Sequence, residues 1–328
     1  MRVGVAVVVA GTAVAGGLVL ARCTGEPPRP EPTAPPVPSP TKPAPRGVSP
    51  FTGLPGRLGP VLAVKIDNVG AARPHTGLGA ADIVYVEQVE AGLTRMLAVY
   101  ASHQPQQVGP VRSARESDVE LLRQFGRPAL AYSGVQSALR PFLARAPLFE
   151  VPPEVVPGAY TRERGRPAPH NLYLSPAKAL AAVPAADKPR DIGFRFGPAP
   201  EGGRQVNEHT VRFPAADYTF TWSETEKRWL VGMDGEAART TDGKRMGART
   251  VVVQHVTVRP SAFKDRGGNV TPYTETVGSG TALVLRDGKG YDARWSRPAA
   301  DGGTTFTTPA GARLTFAPGQ VWVVLSGR

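Results

Sequence analysis

The chain has 328 residues, with 39 basic against 27 acidic side chains for a net charge of +12, and a single cysteine. One cysteine excludes a disulfide framework, a cysteine-based metal site and a buried cysteine nucleophile, so stability must come from the hydrophobic core. The basic balance raises nucleic-acid binding as a class, but there is no long Lys/Arg run and no interleaved aromatic pattern.

Residues 3–21 are uncharged and apolar behind Arg2, the pattern of an export signal. At 19 residues the segment is also long enough to remain as an uncleaved membrane anchor. Leu20-Ala21-Arg22-Cys23 resembles a lipobox, which would make Cys23 the lipidated first residue of the mature protein, although Arg22 departs from the small residue expected there. In either case the expected location is extracytoplasmic, tethered to the outer face of the cytoplasmic membrane. Export turns the positive charge away from nucleic acid and toward an anionic envelope polymer or an envelope protein as partner. Residues 24–50 form a linker, with 11 prolines in the 26 positions from Gly25 to Pro50. In polyproline II form it reaches roughly 80 Å at about 3.1 Å per residue.

From Phe51 the globular part begins. Leu62, Val64 and Ile66 alternate with Lys65 and Asp67, which predicts a strand over 61–67. Residues 82–90 and 93–101 are expected to form an antiparallel hairpin around a two-residue turn at Ala91-Gly92. That register puts Ile83, Tyr85, Glu87, Met96 and Tyr100 on one face and Val84, Val86, Arg95, Leu97 and Val99 on the other. Both faces are mostly apolar, so Glu87 and Arg95 are charges in costly positions that need partners. The glycine-rich loop 68–81, carrying Asn68 and Arg73, is long enough for a functional role.

Ser113 and Glu116 fit a capping box opening a helix that ends near Gly126. Arg112 and Arg115 then lie where the helix dipole disfavours cations, so either a carboxylate of the same fold or a bound anion must compensate. Arg115 is expected to be structural and Arg112 exposed. A short strand over 128–132, a helix over 135–144 and an irregular basic segment over 151–169 follow. Ser175 with Pro176 opens a two-turn helix to Ala182, and His170-Asn171 just before it is expected to stabilise a turn.

Prolines and glycines over 184–200 predict a domain boundary. Beyond it short strands dominate: 209–213, 218–222, 228–231, 249–258, a hairpin of 282–286 with 291–295, then 304–307, 313–316 and 321–325. The expected fold is α+β, with a mixed α/β domain over 51–190 built on the central hairpin and an antiparallel β domain over 200–328.

Motif by motif, little chemistry is visible. The five histidines lack metal-ligand spacing, so no metal is expected. There is no nucleophile elbow, dinucleotide fingerprint or phosphate loop, and no cofactor is expected. What remains is a charged cluster of Lys65, Asp67, Glu87, Arg95, Arg112 and Arg115. It fits an internal ion-pair network, a site for a polar or anionic ligand, or an Asp67/Glu87 acid–base pair of the glycoside-hydrolase type. Binding is placed before catalysis, and hydrolysis of cell-wall glycan is the alternative.

Lys65-x-Asp67-Asn68, Arg73-Pro74, Asp82-Ile-Val-Tyr-x-Glu87, Gly92-x-Thr94-Arg95 and the run Gly109-Pro-Val-Arg-Ser-Ala-Arg115 together resemble the YerB-like family of bacterial lipoproteins, a family of unknown function. The resemblance covers most of the chain after the linker. It implies a membrane-anchored lipoprotein with a β-rich C-terminal part, and it brings no reaction. The residues that carry it, Lys65, Asp67, Asn68, Arg73, Glu87, Arg95, Arg112, Ser113 and Arg115, are the candidate ligand-binding set.

Overall fold

The computed structural model describes residues 47–265 and 267–327. The expected signal segment, Cys23 and the linker up to Arg46 lie outside the described residues. The N-terminal part comprises β1 (Leu62–Asp67), β2 (Ile83–Gln88), β3 (Thr94–Tyr100), α1 (Glu116–Leu122), β4 (Ala129–Ala131), α2 (Arg140–Arg145), β5 (Phe149–Glu150), β6 (Tyr160–Arg162), β7 (Leu172–Leu174) and α3 (Pro176–Ala182). The C-terminal part adds β8 (Arg204–Gln205), β9 (Glu208–Phe213), β10 (Ala216–Ser223), β11 (Arg228–Met233), β12 (Glu236–Ala237), β13 (Gly247–Ala248), β14 (Thr250–Val256), β15 (Val258–Lys264), β16 (Val270–Thr274), β17 (Gly278–Arg286), β18 (Lys289–Arg297), β19 (Thr305–Thr307) and β20 (Val321–Gly327). The fold is α+β and dominated by strands.

Strands from both parts make one eleven-stranded sheet, in the order β19-β18-β17-β14-β20-β2-β3-β1-β4-β5 with β8 beside β18. The join is β20, which pairs in parallel with β14 on one side and β2 on the other. The C-terminal part is largely antiparallel as expected, and β20 adds two parallel pairings that join it to the N-terminal part. The proline-rich stretch 184–200 is a connection, and the sheet is continuous across it.

Each face of the sheet buries its own core. On one side Val64, Val84, Val86, Met96, Val253 and Trp322 pack with Tyr218, Phe220, Trp229 and Val231 of a second sheet, β12-β11-β10-β9. On the other side Ala63, Tyr85, Leu97, Val99, Val252 and Val323 pack beneath Leu121, Leu122 and Phe125 of α1 and its 3-10 extension. Alternate residues of each strand go to opposite cores, which is why these strands read as nearly continuous apolar runs.

The pairing of β2 with β3 corrects the predicted faces. The connection is a 3-10 turn of Glu90-Ala91-Gly92, with Ala91 and Gly92 at positive φ, so the register pairs Tyr85 with Leu97, Val86 with Met96 and Glu87 with Arg95. One additional turn residue shifts the register by one and moves a whole strand's side chains to the other face. With β1 in register, Asp67 lies beside Arg95 and Lys65 beside Leu97. Lys65, Asp67, Glu87 and Arg95 therefore all emerge on the α1 side of the sheet.

Candidate functional site: a cationic cleft beside buried ion pairs

Lys65 and Glu87 are in mid-sheet and shielded from water. Their ammonium and carboxylate are in direct contact, and Lys65 Nζ also donates to Asp118 Oδ1 at 2.8 Å. Burial pushes the Lys65 pKa down to about 8, opposed by Asp118. A cation this deep requires carboxylates on hand. Asp118 was not foreseen, because the predicted cap at Ser113 hid it. The N-cap is Arg115, whose backbone N–H donates to Asp118 Oδ2 at 2.7 Å. Asp118 thus closes the helix start and half-neutralises Lys65.

Asp67, at the end of β1, is shared between two groups. Its Oδ2 lies 2.7 Å from His170 Nδ1 and 3.2 Å from Arg112 Nε. The Arg112 contact falls outside hydrogen-bonding geometry, leaving that N–H without an acceptor. Behind it the buried His75 holds the Asp67 carbonyl at 2.8 Å, and burial pushes this imidazole down to about 4. His170 is therefore a hydrogen-bond partner of the Asp67 carboxylate as well as a turn residue.

Asn68 and Arg73 form a separate structural unit. The Asn68 amide donates to Thr94 Oγ1 at 3.0 Å and to the Tyr218 hydroxyl. Arg73 donates to the Asn68 carbonyl at 2.9 Å and to Asp234 at 2.7 Å. These two residues tie the 68–81 loop to the second sheet.

The run 109–115 threads between β1 and β7. Arg112 N donates to Lys65 O, Val111 N to Leu172 O and Ser133 N to Arg112 O. A Cβ at position 109 would meet Tyr173 Cδ1 at 2.7 Å and Leu172 O at 2.9 Å, so only glycine fits this approach. The specificity of this motif is a packing requirement that delivers Arg112, Ser113 and Arg115 to one place.

That place is a cleft of about 690 Å³. Its cations are Arg95, Arg112, Arg115, Arg140, Arg162 and Lys264. Four carboxylates also line it, but Glu90 holds Arg115 at 2.6 Å, Glu116 accepts from Ser261 and Asp265 accepts from Asn269, leaving Glu154 as the fourth. Ser113, Ser133 and the turn after β2 complete the wall, with Phe263 and Lys264 of β15 opposite. Glu90 was missed by the sequence reading, which left it in the strand. It lies in the hairpin turn, where it accepts from Arg115 and from Thr271 Oγ1 at 2.6 Å.

Arg95 is the exception among these charges. It is 8 % exposed and flanked in register by Asp67 and Glu87, yet both carboxylates are committed to other cations. Its one recorded hydrogen bond is Nη1 to the Ser113 carbonyl at 3.0 Å, and among the described residues it makes no ion pair. Burial first, then Arg115 and Arg112, pushes its pKa down, against the nearby charges of Glu90 and Asp67. The Nε–H of Arg115 is buried beside it without an acceptor.

Neither Asp67 nor Glu87 lines the cleft. Lys65 is also excluded from it, so the candidate set divides into cleft residues (Arg95, Arg112, Ser113, Arg115) and supporting ones. Among the described residues no three His, Cys, Asp or Glu side chains converge on a metal position, and no helix is long and apolar enough to cross a membrane.

Models of the family described as protein of unknown function (DUF3048) match this chain, the N-terminal domain over residues 51–190 and the C-terminal domain over 209–323. The "Putative lipoprotein YerB" of Bacillus subtilis (strain 168) is 25% identical over 273 residues, 80% of each chain. The crystal structure of YerB protein from Bacillus subtilis matches the fold with a TM-score of 0.73 at 22% identity, covering 84% of this chain and 95% of that one.

Proposed function

The chain belongs to the DUF3048 family, and from that premise we propose that it is an envelope protein, tethered to the outer face of the membrane at its N-terminus, that binds an anionic ligand in the Arg95 cleft. Tethering rests on the apolar segment 3–21, the lipobox-like Cys23 and the proline-rich spacer, and on the name of the Bacillus relative.

The observation that carries the binding reading is Arg95. A buried cation without a counter-charge costs several kcal/mol, and proteins tolerate that where a partner arrives later. A guanidinium presents planar paired donors that match phosphate or carboxylate oxygens. Arg112 and the free Nε–H of Arg115 lie within the same wall, so a doubly charged group meets three guanidiniums without disturbing the Lys65–Glu87–Asp118 triad. The glycan-hydrolase alternative draws no support from the geometry, because Glu87 is locked to Lys65 and both of its proposed carboxylates lie outside the cleft.

Titration calorimetry with inorganic pyrophosphate tests this. The wild type is expected to bind with an affinity that weakens as salt rises, and Arg95→Gln to lower it by roughly 10-fold or more. Removing an uncompensated buried charge leaves the melting temperature unchanged or raises it. No binding by the wild type, or a large loss of stability in Arg95→Gln, would refute the reading.

A further inference from the structure

An open sheet edge invites a further strand, and the edges of this molecule are not alike. The eleven-stranded sheet ends in β19, three residues long, and in β5, two residues long. The second sheet ends on one side in β12, also of two residues. The ribbon of β15 with β16 sets Pro260 opposite Pro272 and shifts register beyond them, which denies it a regular outer ladder. At the other end of the second sheet, β9 is six residues long, contains no proline and pairs with β10 alone.

The bonds of the β9–β10 hairpin fix which groups of β9 face outward. Trp222 N donates to Asn207 O at 2.8 Å, so these two residues form a hydrogen-bonded pair. Alternation then gives the amides and carbonyls of His209, Val211 and Phe213 to β10 and turns those of Glu208, Thr210 and Arg212 away from it. Among the described residues none of these outward backbone groups has a hydrogen-bond partner. Val211 joins the core and Phe213 stacks on Tyr218, while Glu208 and Arg212 are exposed on the opposite face, where Thr210 Oγ1 lies 2.9 Å from Thr219 Oγ1. Arg212 stands across from Asp217 in register, yet among the described residues it makes no ion pair.

Glu208 and Arg212 are opposite in sign and equally spaced about Thr210. Charges on an edge ordinarily deter strands. A second copy of β9, laid antiparallel about Thr210, is matched to them instead. Glu208 of each copy then faces Arg212 of the other, and the two Thr210 face each other, pairings that favour a sheet. The same register sets outward amides against outward carbonyls, because residues 208, 210 and 212 are the bonding positions on both copies. We infer that the chain forms a two-fold dimer through β9, its second sheet continuing into that of the other copy across an axis at Thr210. The surface lies on the second sheet and does not depend on the binding reading of the cleft.

The test uses the full chain carrying two different affinity tags, mixed in one nonionic detergent at about 10 µM. Wild-type copies should co-purify. Glu208→Arg or Arg212→Glu alone sets like charges opposite each other twice over and should weaken self-association about 10-fold or more. Mixing Glu208→Arg chains with Arg212→Glu chains restores opposite charges at both positions and should restore co-purification. Thr210→Pro removes an N–H that β10 does not use, so it should abolish association and leave the melting curve in place.

A monomeric wild type would overturn the inference. So would single charge variants that associate as well as the wild type, or a mixed pair no better than either variant alone, because the contact would then lie elsewhere. If Thr210→Pro lowers the melting temperature, the charge exchange decides by itself.

Discussion

Arg297 and Arg95 are both buried guanidiniums that make no ion pair among the described residues, yet the protein treats them differently. Arg297, at the end of β18, is fully enclosed. Its Nε donates to Gly302 O at 3.1 Å, Nη1 to Thr276 Oγ1 at 2.9 Å, and Nη2 to Glu120 O at 2.8 Å and to Ala300 O. Neutral acceptors on every side dissolve the charge, and the group clamps α1 to the β18 edge. Arg95 has one such acceptor and opens onto a cavity. The difference teaches that burial alone does not mark a site. A buried cation whose donors are all used is structural, and one whose donors face space is where a ligand is to be tested for.

Breaking Arg297 should therefore have the largest effect. Arg297→Ala strands several carbonyls and leaves a cavity, at about 4–5 kcal/mol. Calorimetry should show a melting temperature lower by roughly 8–20 °C, and a change near zero would erase the contrast with Arg95. Next comes Lys65→Met, which leaves Glu87 and Asp118 buried and uncompensated, at about 3–5 kcal/mol. Adding Glu87→Gln should recover part of the loss in denaturant unfolding, because it removes one stranded carboxylate.

A smaller effect belongs to His75, on the closed side behind Asp67. Its imidazole is held at about 4 by burial, against an ordinary value of 6.5, with Arg73 and Arg166 adding repulsion and Asp67 opposing them. Between those pH values the unfolded chain takes up a proton that the folded chain refuses. Stability is thus complete above about 6.5 and falls as pH drops toward 4, by about 3 kcal/mol in all. His75→Gln keeps a donor for the Asp67 carbonyl and should flatten that part of the curve of unfolding free energy against pH. The smallest change is that of Arg95→Gln, within about 1 kcal/mol of the wild type, with its effect confined to anion binding. A drop comparable to that of Arg297→Ala would make Arg95 another structural clamp.

Much of the fold was legible because its signals are local. Ser175 with Pro176 starts α3 where expected, and Asp287-Gly288, both at positive φ, turn the β17–β18 hairpin. The family motifs converge on one part of the structure, around the cleft and the buried charges behind it. Two things escaped. The faces of β2 and β3 hinge on whether the turn holds two residues or three, and Glu90 looks equally at home in a strand or a turn. The position of β20 is set by pairing partners far away in sequence, and nothing within its own apolar run announces it. At the site, the charges were visible but their assignment was not. Asp118 and Glu90 decide which cations are directly paired, and Arg95 is distinct in having no ion pair among the described residues.

The insertion of β20 between β14 and β2 also bears on how the chain completes itself. Until residues 321–327 are in place, β2 and β14 each present a bare row of amide and carbonyl groups, at the centre of the molecule and flanked by valines. Such edges recruit foreign strands. A polypeptide released before Val321 would hold nearly every element of the fold and still be two adhesive half-sheets. Strand β20 works as a keystone, whose presence is the condition under which the two halves of the sheet close on each other.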